Sequence, residues 1–570
     1  MRITIAKTAG FCMGVRRAVD MVLDAANRSE VPIFTYGPLI HNPQVLQMLE
    51  TRRIFRMDTI PEKGEGIVLI RAHGVPPEDE DSLKKAGFTV INATCPRVVR
   101  VQVIINRYAE NGYATIIIGD KNHPEVTGLL GYARGNGHAV TAMDQLQALP
   151  VFENAVVVAQ TTQNTAFYEE IKAWCAANRP HYKLFDTICG STERRQQEVR
   201  QLAETHDAVI VVGGRQSGNT QRLAQVAAET HTRAIHIEDV SEIDFTALAE
   251  TRSIAITAGA STPNWIITDT CARVARHLQH QRPLAGVLAR TQDFLLNTNI
   301  LLALGAGSLT YACSVLQKLS HTLVHAAIAM LYVLSMQILN NIFAITSDTY
   351  NRPDRAAFYK KHRTSMAGLA LFSGAAGLYL ASKTGVISFF ILLVMSLLGL
   401  AYNLKIIPTG FCKKRIRRIK DIPGSKTILI TMAWGIVTSI LPSVDNNSSL
   451  AWMAVAFVFS SGLVFARTAF FDILAIQGDR IAGRETLPIL LGEKKSFFLI
   501  RYILLSIIGL LGGACLAGLS FFSAFVLALI PVFMLLLMSS FEEKRQKSGV
   551  QVEFLIESTF LLTGILAALI

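Results

Sequence analysis

Hydrophobic positions change their period halfway along the 570-residue chain. Up to about residue 285 they come as short β-branched runs: "GIVLIRAHG", "ATIIIGDKNHPE", "AVVVAQTTQNT", "AVIVVGGRQSGNT" and "SIAITAGASTP". In each, about five apolar residues end in a polar or glycine-rich turn and a helix-like segment follows. That alternation predicts α/β architecture with largely parallel sheets. The polar residues gather just after the strands, and open α/β sheets bind ligands in the crevice at the carboxyl ends of their strands. The five turns therefore predict one site assembled from several βα loops. From about residue 293 the pattern becomes nine long apolar spans, near 294–316, 322–345, 365–381, 387–404, 427–443, 450–470, 496–518, 521–540 and 552–570. These predict an all-α polytopic membrane bundle of about nine helices. Residues 281–293, "QRPLAGVLARTQD", read as a linker, so the expected division is 1–280, 281–293 and 294–570.

Charge refines the second half. "NRPDRAAFYKKHR", "CKKRIRRIK", the "GDRIAGRE…GEKK" stretch and "EEKRQK" hold nearly all of its Lys and Arg, whereas "ASKTG", "LPSVDNNSS" and the joint near Ser520 hold almost none. Basic loops on every other turn satisfy the positive-inside rule if the first half is cytoplasmic. Nine spans then put the C-terminus outside. The start, "MRITIAKTAGFC", has neither an apolar h-region nor a small-residue cleavage site, which also predicts a cytoplasmic first half. The formal net charge is +12 and 51% of residues are hydrophobic. No interleaved basic and aromatic stripes occur, so a lipid membrane is the expected partner and nucleic acid is not.

In a reducing compartment the eight cysteines are not expected to pair. Cys175, Cys271, Cys313, Cys412 and Cys515 lie in helix-like or apolar contexts and read as small buried hydrophobes. Cys12 in "GFCMG", Cys95 in "NATCPRV" and Cys189 in "DTICGST" differ: each stands in a turn, and they are spaced 83 and 94 residues apart. Near-even spacing predicts three similar lobes, each giving one ligand to a shared centre. The absence of a nearby CxxC pair argues against a closed zinc site, which takes four ligands in close pairs. Thiolates are typical iron–sulfur ligands, and three of them on a four-iron cluster would leave one iron open to substrate.

Three histidines also sit in turns: His41 in "LIHNPQ", His73 in "RAHGVPP" and His123 in "NHPE". With Ser217, Asn219 and Ser261 they supply N–H, amide and hydroxyl donors suited to diphosphate oxygens near helix N-termini. Glu125, two residues after His123, is a candidate general acid if burial raises its pKa.

These stretches, with "GFCMGVRRAV", "GPLIHNP", "ATCPRV", "GDKNHPEVTGLLGYA", "DTICGSTERRQ" and "GGRQSGNTQRL", resemble the 4-hydroxy-3-methylbut-2-enyl diphosphate reductases in order across the first 275 or so residues. The resemblance implies three αβ lobes around a 4Fe–4S cluster on Cys12, Cys95 and Cys189. It implies a diphosphate held by His41, His73, His123, Ser217, Asn219 and Ser261, with Glu125 and Thr161 serving proton delivery at the substrate hydroxyl. Gly218 stands where some family members carry a second serine. The implied reaction takes two electrons and two protons, expels water, and leaves isopentenyl and dimethylallyl diphosphates, the last step of the non-mevalonate pathway. The electrons would come from an external donor: ferredoxin, flavodoxin or an NADPH-linked system. A radical or dehydratase iron–sulfur enzyme with another substrate is the rival reading, opposed by the His–Ser–Asn set.

In the second half, "NNIFAITSDTYNRPDR" at 340–355 and "FDILAIQGDRIAGRETLP" at 471–488 put carboxylates at helical spacing beside apolar spans. Charges there are costly and usually functional, and paired acidic helix ends can hold Mg²⁺ against diphosphate oxygens. These segments, with "DIPGSK", resemble the NDxxDxxxD and DxxDxxxD signatures of UbiA-type membrane prenyltransferases. The resemblance implies a nine-helix bundle that joins a prenyl chain to an acceptor and expels diphosphate. Asn340 and Asp348 remain of the first signature, with Asn341 and Ala344 inside it; Asp472 and Asp479 remain of the second, with Ala475 at its middle. Fewer acids predict weaker dependence on Mg²⁺, with Arg352, Lys405 and Lys426 neutralising part of a diphosphate instead. Two readings follow: a fused second enzyme, or a membrane anchor or lipid-binding module.

Overall fold

The computed structural model describes residues 2–230, 232–248, 251–280, 283–319, 322–402, 419, 422–446, 448–544 and 549–570. Lys405, Cys412 and most of the basic loop around them lie outside the described residues. The chain forms two compact units, Met1–His277 and Leu278–Ile570.

The first unit holds twelve strands: β1 (Arg2–Ile5), β2 (Ile33–Tyr36), β3 (Ile54–Met57), β4 (Ile67–Ile70), β5 (Thr89–Asn92), β6 (Ala114–Ile118), β7 (Gly137–Val140), β8 (Ala155–Ala159), β9 (Lys183–Leu184), β10 (Ala208–Val212), β11 (Arg233–Ile237) and β12 (Ser253–Ala258). They form three four-stranded sheets, ordered β1-β12-β10-β11, β3-β2-β4-β5 and β7-β6-β8-β9. Every pairing is parallel. The five runs legible in the sequence are β4, β6, β8, β10 and β12, all inner strands. All five residues of β6, β8 and β10 are buried, as parallel strands covered on both faces require.

Two helices cross from one lobe to the next. Pro96–Glu110 follows β5 but packs Val98, Val101 and Ile105 against Ile117, Val156 and Val158 of the next sheet. Gly190–Thr205 follows β9 but packs Val199 and Ala203 against Val209, Val211 and Ala255.

The second unit is helical. Seven of its described helices are long and apolar enough to cross a membrane, and an eighth span arises if Gly286–Asn297 and Ile300–Leu316, bent by 68° to each other, count as one. The segment expected as a linker is helical from Pro283 to Asn297. The fourth expected span appears as the shorter helix Val386–Ala401. Its continuation, expected to reach residue 404, enters the segment that lies outside the described residues. Ile300–Leu316 and Gly549–Ala567 approach closely through small residues: a Cβ on Gly564 would stand 2.7 Å from Ser308 Cβ. Inside the bundle the Arg467 guanidinium grips Glu557 at 2.5–3.1 Å and lies over the Phe471 ring at 5.0 Å.

Candidate functional site

The three sheets share one rule. The edge strands β1, β5 and β9 lead into Cys12, Cys95 and Cys189. The inner strands lead into the polar residues: His41 after β2, His73 after β4, His123 and Glu125 after β6, Thr161 after β8, Ser217 and Asn219 after β10, and Ser261 after β12. The opposite edges, β3, β7 and β11, deliver none of them.

Each of the three cysteines caps a helix N-terminus: Met13–Arg28, Pro96–Glu110 and Gly190–Thr205. The positive end of the helix dipole favours a thiolate there. Cys12 Sγ also accepts from the Val15 N–H at 3.5 Å. Gly14 makes room for the approach, since a Cβ on it would stand 2.6 Å from Cys95 Sγ. Burial raises the Cys95 thiol pKa, and Cys12 and Cys189 push it further up. Such a crowd of sulfurs needs a positive centre, so the donor set fits an iron–sulfur cluster. Arg195, unassigned by the sequence reading, is buried within electrostatic reach of Cys12 and Cys189. It donates to Gly10 O at 2.7 Å and Ala258 O at 3.1 Å, tying down the loop that carries Cys12.

The three imidazoles converge, with ring centroids 5.0, 5.4 and 6.0 Å apart. One nitrogen from each lies within 4.8 Å of the others, a spacing open to a metal ion as well as to an anion. Their neighbours favour the anion. Asn219 Nδ2, a donor that cannot ligate a cation, is buried with no partner among the described residues, as is His41 Nε2. Ser217 caps the helix Gly218–Glu229, and Ser261 Oγ donates to His41 O at 3.1 Å and lies 3.2 Å from Ser217 Oγ. Burial lowers the pKa of all three histidines, that of His123 to about 4, and the nearby Arg71 guanidinium adds to the effect. Neutral rings donate one N–H each. For His123 the tautomer follows from geometry: Nδ1 accepts from the Glu125 N–H at 3.2 Å, so Nε2 carries the proton. Arg71, within the "RAHGVPP" stretch, was also missed; an arginine in a turn has no distinguishing pattern in sequence. Gly218 leaves its neighbourhood open, with His123 Nε2 3.8 Å from where a Cβ would stand.

Glu125 is 1% exposed. Thr161 N donates to its Oε1 at 2.6 Å and Thr161 Oγ1 to its Oε2 at 2.8 Å. Burial pushes the Glu125 pKa up to about 7, against the pull of both hydrogen bonds. The carbonyl of Thr161 accepts from Cys189 N at 2.9 Å, so one residue fixes both the carboxyl and the third cysteine turn.

In the second unit Asn340 and Asp348 lie on Thr322–Asn351, Asp472 on Leu450–Leu474 and Asp479 on Ile476–Ile481. Asn351 Nδ2 donates to Asp479 Oδ1 at 3.2 Å, joining the ends of the two acidic segments. Arg352 is paired with Glu553 of the last helix. Asn341 is held by Asn299 and Tyr359, each at 3.3 Å.

The LytB protein family matches residues 3–275, and the UbiA prenyltransferase family matches residues 299–559. The 4-hydroxy-3-methylbut-2-enyl diphosphate reductase of Aquifex aeolicus (strain VF5) is 39% identical over 280 residues, covering 48% of this chain and 95% of that protein. The enzyme of the same name from Geobacter sulfurreducens is 39% identical over 274 residues, covering 48% of this chain and 97% of that protein. A solved apo structure of a UbiA homolog from Aeropyrum pernix K1 aligns with TM-score 0.38 and 16% identity, over 48% of this chain and 99% of that one.

Proposed function

The chain belongs to the 4-hydroxy-3-methylbut-2-enyl diphosphate reductase family through its first unit and carries a UbiA prenyltransferase family domain behind it; from this we propose how its own residues serve the two halves. The first unit reduces 4-hydroxy-3-methylbut-2-enyl diphosphate to isopentenyl and dimethylallyl diphosphates, consuming two electrons and two protons and releasing water. Cys12, Cys95 and Cys189 would hold a 4Fe–4S cluster, which when bound supplies single electrons and a Lewis-acid contact for the substrate hydroxyl.

The protein's own groups do the rest. His41, His73, His123, Ser217, Asn219 and Ser261 receive the diphosphate with N–H and O–H donors, aided by the N-terminus of Gly218–Glu229. Near-neutral imidazoles bind it without competing for protons. Glu125, with a pKa near 7, is protonated often enough to deliver a proton to the leaving hydroxyl and ionises readily afterwards. Thr161 holds that carboxyl in one orientation.

The second unit is a multi-pass membrane domain, in which the bent pair and the shorter helix Val386–Ala401 join the seven long apolar helices as spans. It keeps the basic loops and the reductase on the cytoplasmic side and binds a prenyl diphosphate at its acidic helix ends. The observation that carries the reductase reading is the buried Glu125–Thr161 pair at the same strand ends as the three histidines and three cysteines. The test is anaerobic turnover of 4-hydroxy-3-methylbut-2-enyl diphosphate by reconstituted protein with a reduced viologen dye. Formation of both C5 diphosphates is expected. Absence of products with a full iron complement would refute it.

A further inference from the structure

The acidic helix ends of the membrane unit do not offer Asp472 to a metal. Asp472 is fully buried, and each of its oxygens already accepts from a protein donor: Lys426 Nζ donates to Oδ1 at 2.6 Å and Thr427 Oγ1 to Oδ2 at 2.7 Å. The accessible member of the pair is the lysine, whose side chain is 33% exposed against 0% for Asp472. A Mg²⁺ ion binds oxygen at about 2.0–2.1 Å in strict octahedral geometry. On Asp472 it would have to stand against an ammonium already seated there.

Asp479 is different. It is 1% exposed, its Oδ1 accepts from Asn351 at 3.2 Å, and its buried Oδ2 has no partner among the described residues. Arg484 approaches Oδ1 only to 3.9 Å. A Mg²⁺ site drawing on every position of the two signatures therefore does not fit these residues. Asn341 is engaged with Asn299 and Tyr359, Ala344 and Ala475 bring no ligand, and Asp472 is occupied by a protein cation. What remains is Asp348 and a carboxylate oxygen of Asp479 that has no partner among the described residues, with a lysine ammonium on the neighbouring acid.

Building on the reading of this unit as a prenyl diphosphate binder, we propose that the Lys426 ammonium, anchored on Asp472, takes the place of one divalent cation, so that diphosphate binding here needs no magnesium on Asp472. An ammonium has three donors, and one on Asp472 leaves two for diphosphate oxygens. Among the described residues whose charges act on Asp479, Lys426 and Arg484 against Asp348, Asp472 and Asp479 itself leave one formal negative charge, a much smaller barrier to an incoming anion than a full acidic set without metal.

The test uses the full chain in lipid nanodiscs, carrying His41→Ala so that the reductase pocket contributes little, with labelled geranylgeranyl diphosphate as the probe. Binding is measured with Mg²⁺ and with EDTA. With Lys426 present, affinity is expected to fall less than about tenfold in EDTA. Lys426→Met should bind poorly in EDTA and recover with Mg²⁺, because Asp472 is freed for the ion. Lys426→Met/Asp472→Asn, which removes both members of the ion pair together, should bind poorly in both. Loss of binding by the parent chain in EDTA would overturn the lysine substitution alone, as would unchanged EDTA binding by either variant. No binding by the parent chain in either condition would overturn it together with the diphosphate-binding reading of the unit.

Discussion

Thr161 holds both oxygens of Glu125, its N–H at 2.6 Å from Oε1 and its hydroxyl at 2.8 Å from Oε2. Two opposing influences meet in this pair. Burial favours the neutral acid, the two donors favour the carboxylate, and the balance is a pKa near 7.

Glu125→Gln keeps the shape and removes the proton. Substrate should still bind, while turnover falls by at least about 100-fold, the usual scale for lost general acid catalysis. Single-turnover kinetics with a separate binding measurement check this. A near-normal rate at pH 7 would remove Glu125 from proton delivery.

Thr161→Val removes only the hydroxyl donor. Hydrogen bonds to a carboxylate lower its pKa, so losing one raises it, and the acid stays protonated to higher pH. In the parent protein kcat should decline as pH rises through about 7. In Thr161→Val that limb should move to higher pH, and a pH–rate profile in which it stays or moves lower contradicts the assignment.

Cys12→Ser, Cys95→Ser and Cys189→Ser should each lose iron, visible absorbance and activity. Cys175→Ser and Cys271→Ser, at buried positions within helices, should keep them. Gly14→Ala should behave like the first group, because its methyl would meet Cys95 Sγ at 2.6 Å. Gly218→Ser should retain iron and turnover, since the space there is open. Iron analysis of each variant decides.

Arg467→Ala should leave Glu557 charged and buried within the bundle, a cost of about 3–5 kcal/mol. Thermal unfolding in detergent should show a large loss of stability, and Arg467→Met/Glu557→Leu should recover most of it. Equal loss in single and double variants would contradict this reading of the pair.

The sequence carried five of the six inner strands and the turns after them because strands covered on both faces must be continuously apolar; β2, "IFTY" with alternate residues buried, was not legible. It did not carry the edges. β5 and β7 have four residues each and β9 only two, with polar residues among them, so no period stands out. The cysteines were visible by their turns, but not that each caps a helix. Arg71 and Arg195 act through burial and position, which a string of letters does not register. In the membrane half the acidic residues were legible and their partners were not. Lys426 on Asp472 and Glu553 on Arg352 join residues far apart in sequence, and only folding brings them together.

The crossing of helices between lobes bears on how the reductase unit holds together before it is loaded. The three sheets share no strand, so no ladder of hydrogen bonds runs from one to the next. Cys95 and Cys189 stand where the chain leaves one sheet for a helix packed on another. A group gripping those points acts as a clasp on the joints themselves. Its binding energy is added to the stability of the assembled lobes by mass action. Amide hydrogen exchange should therefore slow on loading at the starts of Pro96–Glu110 and Gly190–Thr205, with little change in the interiors of β6, β8 and β10.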